Sequence, residues 1–260
     1  VYMIDWCDHQ HCHTPFDEAW ERTNGRIYRL QWAETYQPRS VHLAANSDVE
    51  LAALHTHRSE WYVRTARRLL QERAATRAIE PAALAHLGEQ FEEGGTSVDQ
   101  LRAFWTLHVM GALEDAQLEA ALRHGDDVVR AWAITLATED SHALRIGPER
   151  LLEVAKKDPS PVVRLAIASA LPLVDSEPRW QIGAALASHA EDASDRFLPK
   201  MTWFGLASLV ANDISRALKL AAETPQPTEF VLVAPDASAD CGSLLRQVEL
   251  HGWSLRDLLG

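Results

Sequence analysis

Cysteine is scarce in this chain: three occur in 260 residues, at Cys7, Cys12 and Cys241. The number is too small and too odd for a disulfide framework. No apolar run approaches the ~20 residues a membrane-spanning helix needs. Basic side chains are outnumbered, 25 Lys and Arg against 37 Asp and Glu, for a formal charge of −12. A general nucleic-acid binder needs a basic surface to displace phosphate counterions, so this balance argues against one. There is no Gly-rich phosphate loop, no G-x-S-x-G elbow and no H-E-x-x-H pair, and with them go the usual signatures of P-loop, hydrolase and zinc-protease chemistry. No secretory signal pattern is present. The chain opens Val1-Tyr2-Met3-Ile4, which reads as the middle of a strand, so we expect a piece of a longer polypeptide.

Apolar residues make up 47% of the chain and include nine tryptophans, enough to exclude a disordered chain. The most regular stretch runs from Asp158 to Leu171. Asp158 and Ser160 offer cap oxygens, and Pro161 suits a first helical turn because its missing N–H has no partner there. Val162, Leu165, Ala166, Ser169 and Ala170 follow at helical spacing. Arg164 sits in the first turn, where the helix dipole disfavours a cation, so it needs another reason to be there. Similar arginines stand at Arg64, Arg102, Arg130 and Arg196, and the five are separated by 38, 28, 34 and 32 residues. A period near 33 with helix pairs between is the mark of a helical solenoid.

The expected fold is therefore all-α, a HEAT-like α-solenoid of about five helix pairs with a small N-terminal β-hairpin-like segment. Residues 1–32 carry two strand candidates, Val1–Trp6 and Arg26–Trp32, the second entered through the turn dipeptide Asn24-Gly25. Two strands alone are not stable in water, so they should pack on the solenoid or extend a sheet begun earlier. Residues 33–46 read as a linker and 47–223 as the repeat domain. Its pairs are predicted at 47–57 with 59–75, 81–92 with 97–112, 115–124 with 126–138, 148–157 with 160–173, and 177–191 with 195–211, closed by a helix at 213–223. Ser47…Glu50 is a capping box, and Ser97-Val98-Asp99-Gln100 reads as a second. Gly125 is placed as a left-handed helix stop. Residues 224–260 read as an irregular tail with short helices.

Candidate chemistry concentrates at the N-terminus. Cys7, His9, His11 and His13 alternate, so an extended segment would point all four one way. Two such histidines plus a carboxylate or thiolate could hold zinc, and Cys7-x4-Cys12-His13 also fits an expanded c-type haem attachment. The alternative is a polar loop that ligates nothing. A cysteine nucleophile beside histidine is a weaker signal. Arg58, Arg64, Arg67, Arg68, Arg73 and Arg77 crowd one helix, most simply a solvated face with acidic neighbours. The tryptophans at 61, 105, 132, 180 and 203 fall on repeat helices, as core or groove-lining residues.

Helix pairs of this period with Asp-Pro…Val-Arg at the second helix resemble HEAT repeats, in which such an arginine packs against an acid of a neighbouring repeat. A longer stretch is similar to another family. Asp5-Trp6, His11-Cys12-His13-Thr14-Pro15 and Asn24-Gly25-Arg26-Ile27-Tyr28-Arg29 resemble the end of a β-propeller in large membrane-bound dehydrogenase-like proteins of planctomycetes and verrucomicrobia. Glu60–Arg73, Val129–Ile134, Arg179-Trp180 and Glu191-Asp192-Ala193 resemble the HEAT array that follows it, and the similarity runs to about residue 222. In that family a cytochrome c domain with Cys-x-x-Cys-His often comes next; neither that motif nor most of the propeller is in this sequence. The resemblance implies a non-catalytic scaffold within a larger redox protein, binding a protein partner or flanking domains of the same polypeptide, in the periplasm or cell envelope. It carries no catalytic residue and no cofactor onto this chain. The rival reading is an electron-transfer or enzymatic unit that uses the Cys7–His13 segment to hold zinc or haem.

Overall fold

A computed structural model describes residues 1–4, 25–37, 40–139, 144–210 and 212–225. The chain divides into two compact units, Val1–Ala45 and Asn46–Gly260. The first holds two short antiparallel strands, β1 (Tyr2–Ile4) and β2 (Ile27–Arg29), with Met3 opposite Tyr28. All six strand residues are exposed. Arg29 lies over the Tyr36 ring, and a 3-10 turn at Leu43–Ala45 ends the unit.

The second unit is helical throughout its described residues. Its helices are α1 (Asp48–Ala53), α2 (Glu60–Ala74), α3 (Pro81–Glu93), α4 (Ser97–Val109), α5 (Asp115–Ala121), α6 (Asp127–Ala137), α7 (Pro148–Lys157), α8 (Pro161–Ala170), α9 (Ser176–Ala187), α10 (Leu198–Val210) and α11 (Ile214–Glu223). The boundaries follow local chemistry. Ser47 and Glu50 form the full capping box of α1. Pro81, Pro148 and Pro161 open α3, α7 and α8, where a missing N–H costs nothing. Ser160 caps α8 by accepting the Val162 amide at 3.2 Å.

Two local expectations are corrected. The cap of α4 is Thr96, one residue before the Ser97 box: its hydroxyl accepts the Asp99 amide. The left-handed stop is Gly111, at φ 69°, and Gly125 does not adopt that conformation. The Gly111 amide donates to the His108 carbonyl and the Ala112 amide to Leu107, a Schellman closure of α4. Helix α5 needs no such residue, because the Arg123 and His124 amides tighten its last turn onto Ala120 and Ala121.

Helices pack on their sequence neighbours, α3 on α4, α5 on α6 and α9 on α10 among them, and across alternate positions, α1 on α3, α7 on α9, α2 on α4, α4 on α6, α6 on α8 and α8 on α10. The buried side chains between them are mostly Leu, Ala, Val and Ile, with Phe91 stacked on Phe104 at 5.0 Å. Gly205 on α10 packs tightly on Leu171, the residue that ends α8: an added Cβ would meet it at 2.5 Å.

Candidate functional site

Two of the first-turn arginines tie an even helix to the connection that leads into the next one, by the same construction. Arg130 on α6 forks onto Asp158, its Nε and Nη2 donating at 2.7 and 2.9 Å. Arg164 on α8 forks onto Asp192, both bonds 2.5 Å. Each acid stands 28 residues after its arginine. The third nitrogen of each arginine turns back to its own connection, Arg130 Nη1 to the His124 carbonyl and Arg164 Nη1 to the Asp158 carbonyl, both at 2.9 Å. Asp158 thus takes one arginine on its carboxylate and the next on its carbonyl. It also accepts the Ser160 amide at 2.9 Å, while Ser160 Oγ donates to Asp127 at 2.6 Å. Burial would raise the Asp158 pKa, but the Arg130 fork and the Ser160 amide outweigh it and hold the carboxyl below its usual range. Asp192 raises Arg164 further above its ordinary value.

The other three arginines of the sequence pattern sit elsewhere. Arg102 lies two residues beyond the equivalent position, which in α4 is Gln100. Gln100 plays the bridging part with neutral groups, its amide donating to the Phe91 carbonyl and its oxygen meeting His124 at 3.1 Å. Arg102 reaches back instead to Glu60 on α2 and to the His55 carbonyl. Arg64 is exposed, with Glu60 at 3.9 Å on its own helix. Arg196 is exposed and lies over the Phe197 ring. The spacing misled because helices of unequal length shift the register of any one residue type. A 28-residue Arg-to-Asp interval was the signal that would have found Asp158 and Asp192.

The arginine-rich helix α2 is only partly a solvated face. Arg58 and Arg77 lie outside α2, and Arg73 at its end converges with Arg77 on Asp48, which is fully buried, at 2.7–2.8 Å. They hold the Asp48 carboxyl far below the ordinary range, the Arg77 fork being the largest cause. Further along, a second polar cluster forms where the 3-10 turn Leu54–Thr56, α2 and α4 meet. His55 is fully buried. The Ala52 carbonyl, 2.9 Å from Nδ1, can only accept, which puts the proton on Nδ1 and turns Nε2 to Thr106 Oγ1 at 2.7 Å. The Arg102 carbonyl, 2.7 Å from Thr106 Oγ1, is a second acceptor for that hydroxyl's one proton, and Thr106 accepts Arg67 Nε–H at 3.2 Å. Burial, with Arg67 and Arg102 adding to it, pushes the His55 pKa down to about 4.

Counted from each cap, one stripe recurs on four even helices. It carries Trp61, Thr65 and Arg68 on α2, then Val98, Arg102 and Trp105 on α4. Val128, Trp132 and Thr135 follow on α6, and Val162, Ala166 and Ser169 on α8. Every one of these residues is partly or fully exposed. None is acidic, in a chain of net charge −12. The exposed apolar members are large: Trp61 is 54% exposed, Val98 56%, Val128 42%, Trp132 36% and Val162 44%. Trp105 and Trp132 meet edge to face with centroids 4.9 Å apart, and the Arg67 guanidinium lies 5.2 Å from the Trp105 ring. Of the other tryptophans, Trp180 and Trp203 are buried, Trp180 against Leu206 and Leu209.

Cys7, His9, His11 and His13 lie outside the described residues, as do residues 226–260 of the tail. Among the described residues no group of three His, Cys, Asp or Glu is arranged to hold a metal ion, and no helix is long and apolar enough to cross a membrane. The chain matches no protein-family profile, no curated protein and no solved structure.

Proposed function

We propose that residues 47–223 form a HEAT-like α-solenoid of about five helix pairs that acts as a non-catalytic scaffold, holding a protein partner or flanking domains of a larger redox polypeptide. The observation that carries this reading is the stripe: exposed, non-acidic and rich in Val and Trp, it returns at the same register on α2, α4, α6 and α8. Contiguous apolar surface of this kind marks an interaction site, and a row built from repeats provides extended area without a deep pocket. The Arg130–Asp158 and Arg164–Asp192 forks support it by fixing α6 and α8 each against the connection that enters the next even helix. The exposed apolar strands of the first unit support the larger-polypeptide part, because a two-stranded sheet needs a covering element.

The test is site-specific photo-cross-linking. A benzophenone amino acid replaces Val98 or Val128 on the stripe, or Lys157, which is exposed on another helix. The parent polypeptide is expressed whole. The scaffold reading expects one dominant protein or flanking domain captured from both stripe positions and not from Lys157. Equal capture from all three would overturn it. So would a stoichiometric metal or haem lost on His11→Ala together with redox activity, which would establish the electron-transfer reading.

A further inference from the structure

We propose that Arg67, beside the Trp105–Trp132 pair, is the receptor for the single carboxylate of an otherwise apolar protein segment lying along the stripe; the proposal rests on the protein-binding reading above. Arg67 differs from its neighbours on α2. Arg64, Arg68 and Arg73 each have a carboxylate within ion-pair distance. Arg67 is half-buried, and its hydrogen bonding among the described residues is a single Nε–H to Thr106 Oγ1 at 3.2 Å. Glu60, the nearest acid in the cluster, is taken by Arg102. Burial lowers the Arg67 pKa; Glu60 opposes this, while Arg102 and Arg64 add to it. A guanidinium stays charged at any working pH and carries five donors, so this one holds a fork with no carboxylate in it.

The surroundings have an excess of donors. Arg102 Nε and Trp105 Nε1 are buried without an acceptor among the described residues. The carboxylates of the cluster, Glu60 and Asp99, both pair with Arg102, and among the described residues none lies within ion-pair distance of Arg67. A carboxylate placed against the Arg67 guanidinium would complete its fork with two charge-assisted bonds. The indole edges offer apolar contact to the residues flanking that carboxylate, and Val98 stands exposed two turns earlier on α4. A polyanion of dense charge fits less well, because the neighbouring Arg64, Arg68 and Arg102 already have carboxylates within ion-pair distance and the chain as a whole is strongly acidic. The chemistry recognised is thus an isolated Glu or Asp set among apolar residues.

The full chain is applied to three immobilised decapeptide pools, with Glu, Gln or phosphoserine fixed at the centre and the flanking positions randomised. Wild type should be retained by the Glu pool roughly tenfold over the Gln pool, the equivalent of about 1.4 kcal/mol. Arg67→Met should abolish that preference while melting at or above the wild-type temperature, since it removes a half-buried charge. Arg67→Lys should keep part of it, because an ammonium cannot fork. Equal retention on Glu and Gln pools, a stronger phosphoserine pool, or a preference that survives Arg67→Met would each overturn the assignment. Stripe cross-linking that persists in Arg67→Met, with no Glu preference in wild type, would remove this site and leave the scaffold. Loss of stripe-specific cross-linking in wild type would remove the scaffold whatever the pools retain.

Discussion

Replacing Arg164 with alanine strands a carboxylate. Arg164 is 1% exposed and Asp192 3%, so water reaches neither partner freely. Three of the arginine nitrogens are bonded, two to Asp192 at 2.5 Å and one to the Asp158 carbonyl at 2.9 Å. Removing one member of a buried, well-formed pair costs about 3–5 kcal/mol, chiefly because the remaining charge stays buried without compensation. The lost aliphatic stem adds a packing defect between α8 and its neighbours. For a chain of this size each kcal/mol moves the melting temperature by about 2–4 °C, so the expected drop is roughly 6–20 °C. Thermal melts followed by far-ultraviolet circular dichroism near neutral pH measure it. Two companions sharpen the result. Arg196→Ala removes an exposed arginine with no buried partner and should change the melt little. The double variant Arg164→Met, Asp192→Leu replaces the pair with apolar groups of similar size and should recover most of the loss, since burying two ions is itself costly. An Arg164→Ala melt no lower than that of Arg196→Ala, or a double variant no better than the single, would refute the reasoning.

Gly205→Ala should destabilise by about 1–3 kcal/mol despite the better helix propensity of alanine, because the new methyl meets Leu171 at 2.5 Å; a chemical denaturation midpoint reads this out, and Leu171→Ala in the same chain should partly relieve it. His55 titrates near 6.5 when unfolded and at about 4 when folded, so the unfolded chain binds the extra proton between those values. Stability should therefore rise with pH across that window and be lost as pH falls through it, by on the order of 3 kcal/mol, and His55→Gln should flatten the slope. Asp48 and Asp158 are held below their ordinary range, so their contribution is retained at mildly acid pH and disappears only as pH falls through their folded values; urea midpoints at stepped pH separate the two regimes. Ser160→Ala should cost about 1 kcal/mol through the cap of α8, more if Asp127 is left without the Ser160 hydroxyl.

Much of the helical layout was legible because caps and periodicity are local. The Ser47 capping box, the prolines that open α3, α7 and α8, and the helical character of the described residues from 47 to 223 follow from neighbours within four residues. Arg164 stood out for the same reason: a cation in a first turn conflicts with the helix dipole, and that conflict can be seen without a partner. The partner could not. Which acid meets which arginine depends on the register of α8 against the turn before α10, a distance set by helix lengths and tilt. Arg64, Arg102, Arg130, Arg164 and Arg196 looked equivalent in sequence, yet packing gives buried forks to Arg130 and Arg164, a reach backwards to Arg102, and solvent to Arg64 and Arg196. Glycine was ambiguous in the same way: Gly111 and Gly125 both follow a helix, and only the carbonyls left to satisfy choose Gly111. The unmatched cation at Arg67 is likewise a tertiary fact, because six arginines crowd one stretch of sequence, and only the fold brings carboxylates to some of them and Trp105 to this one.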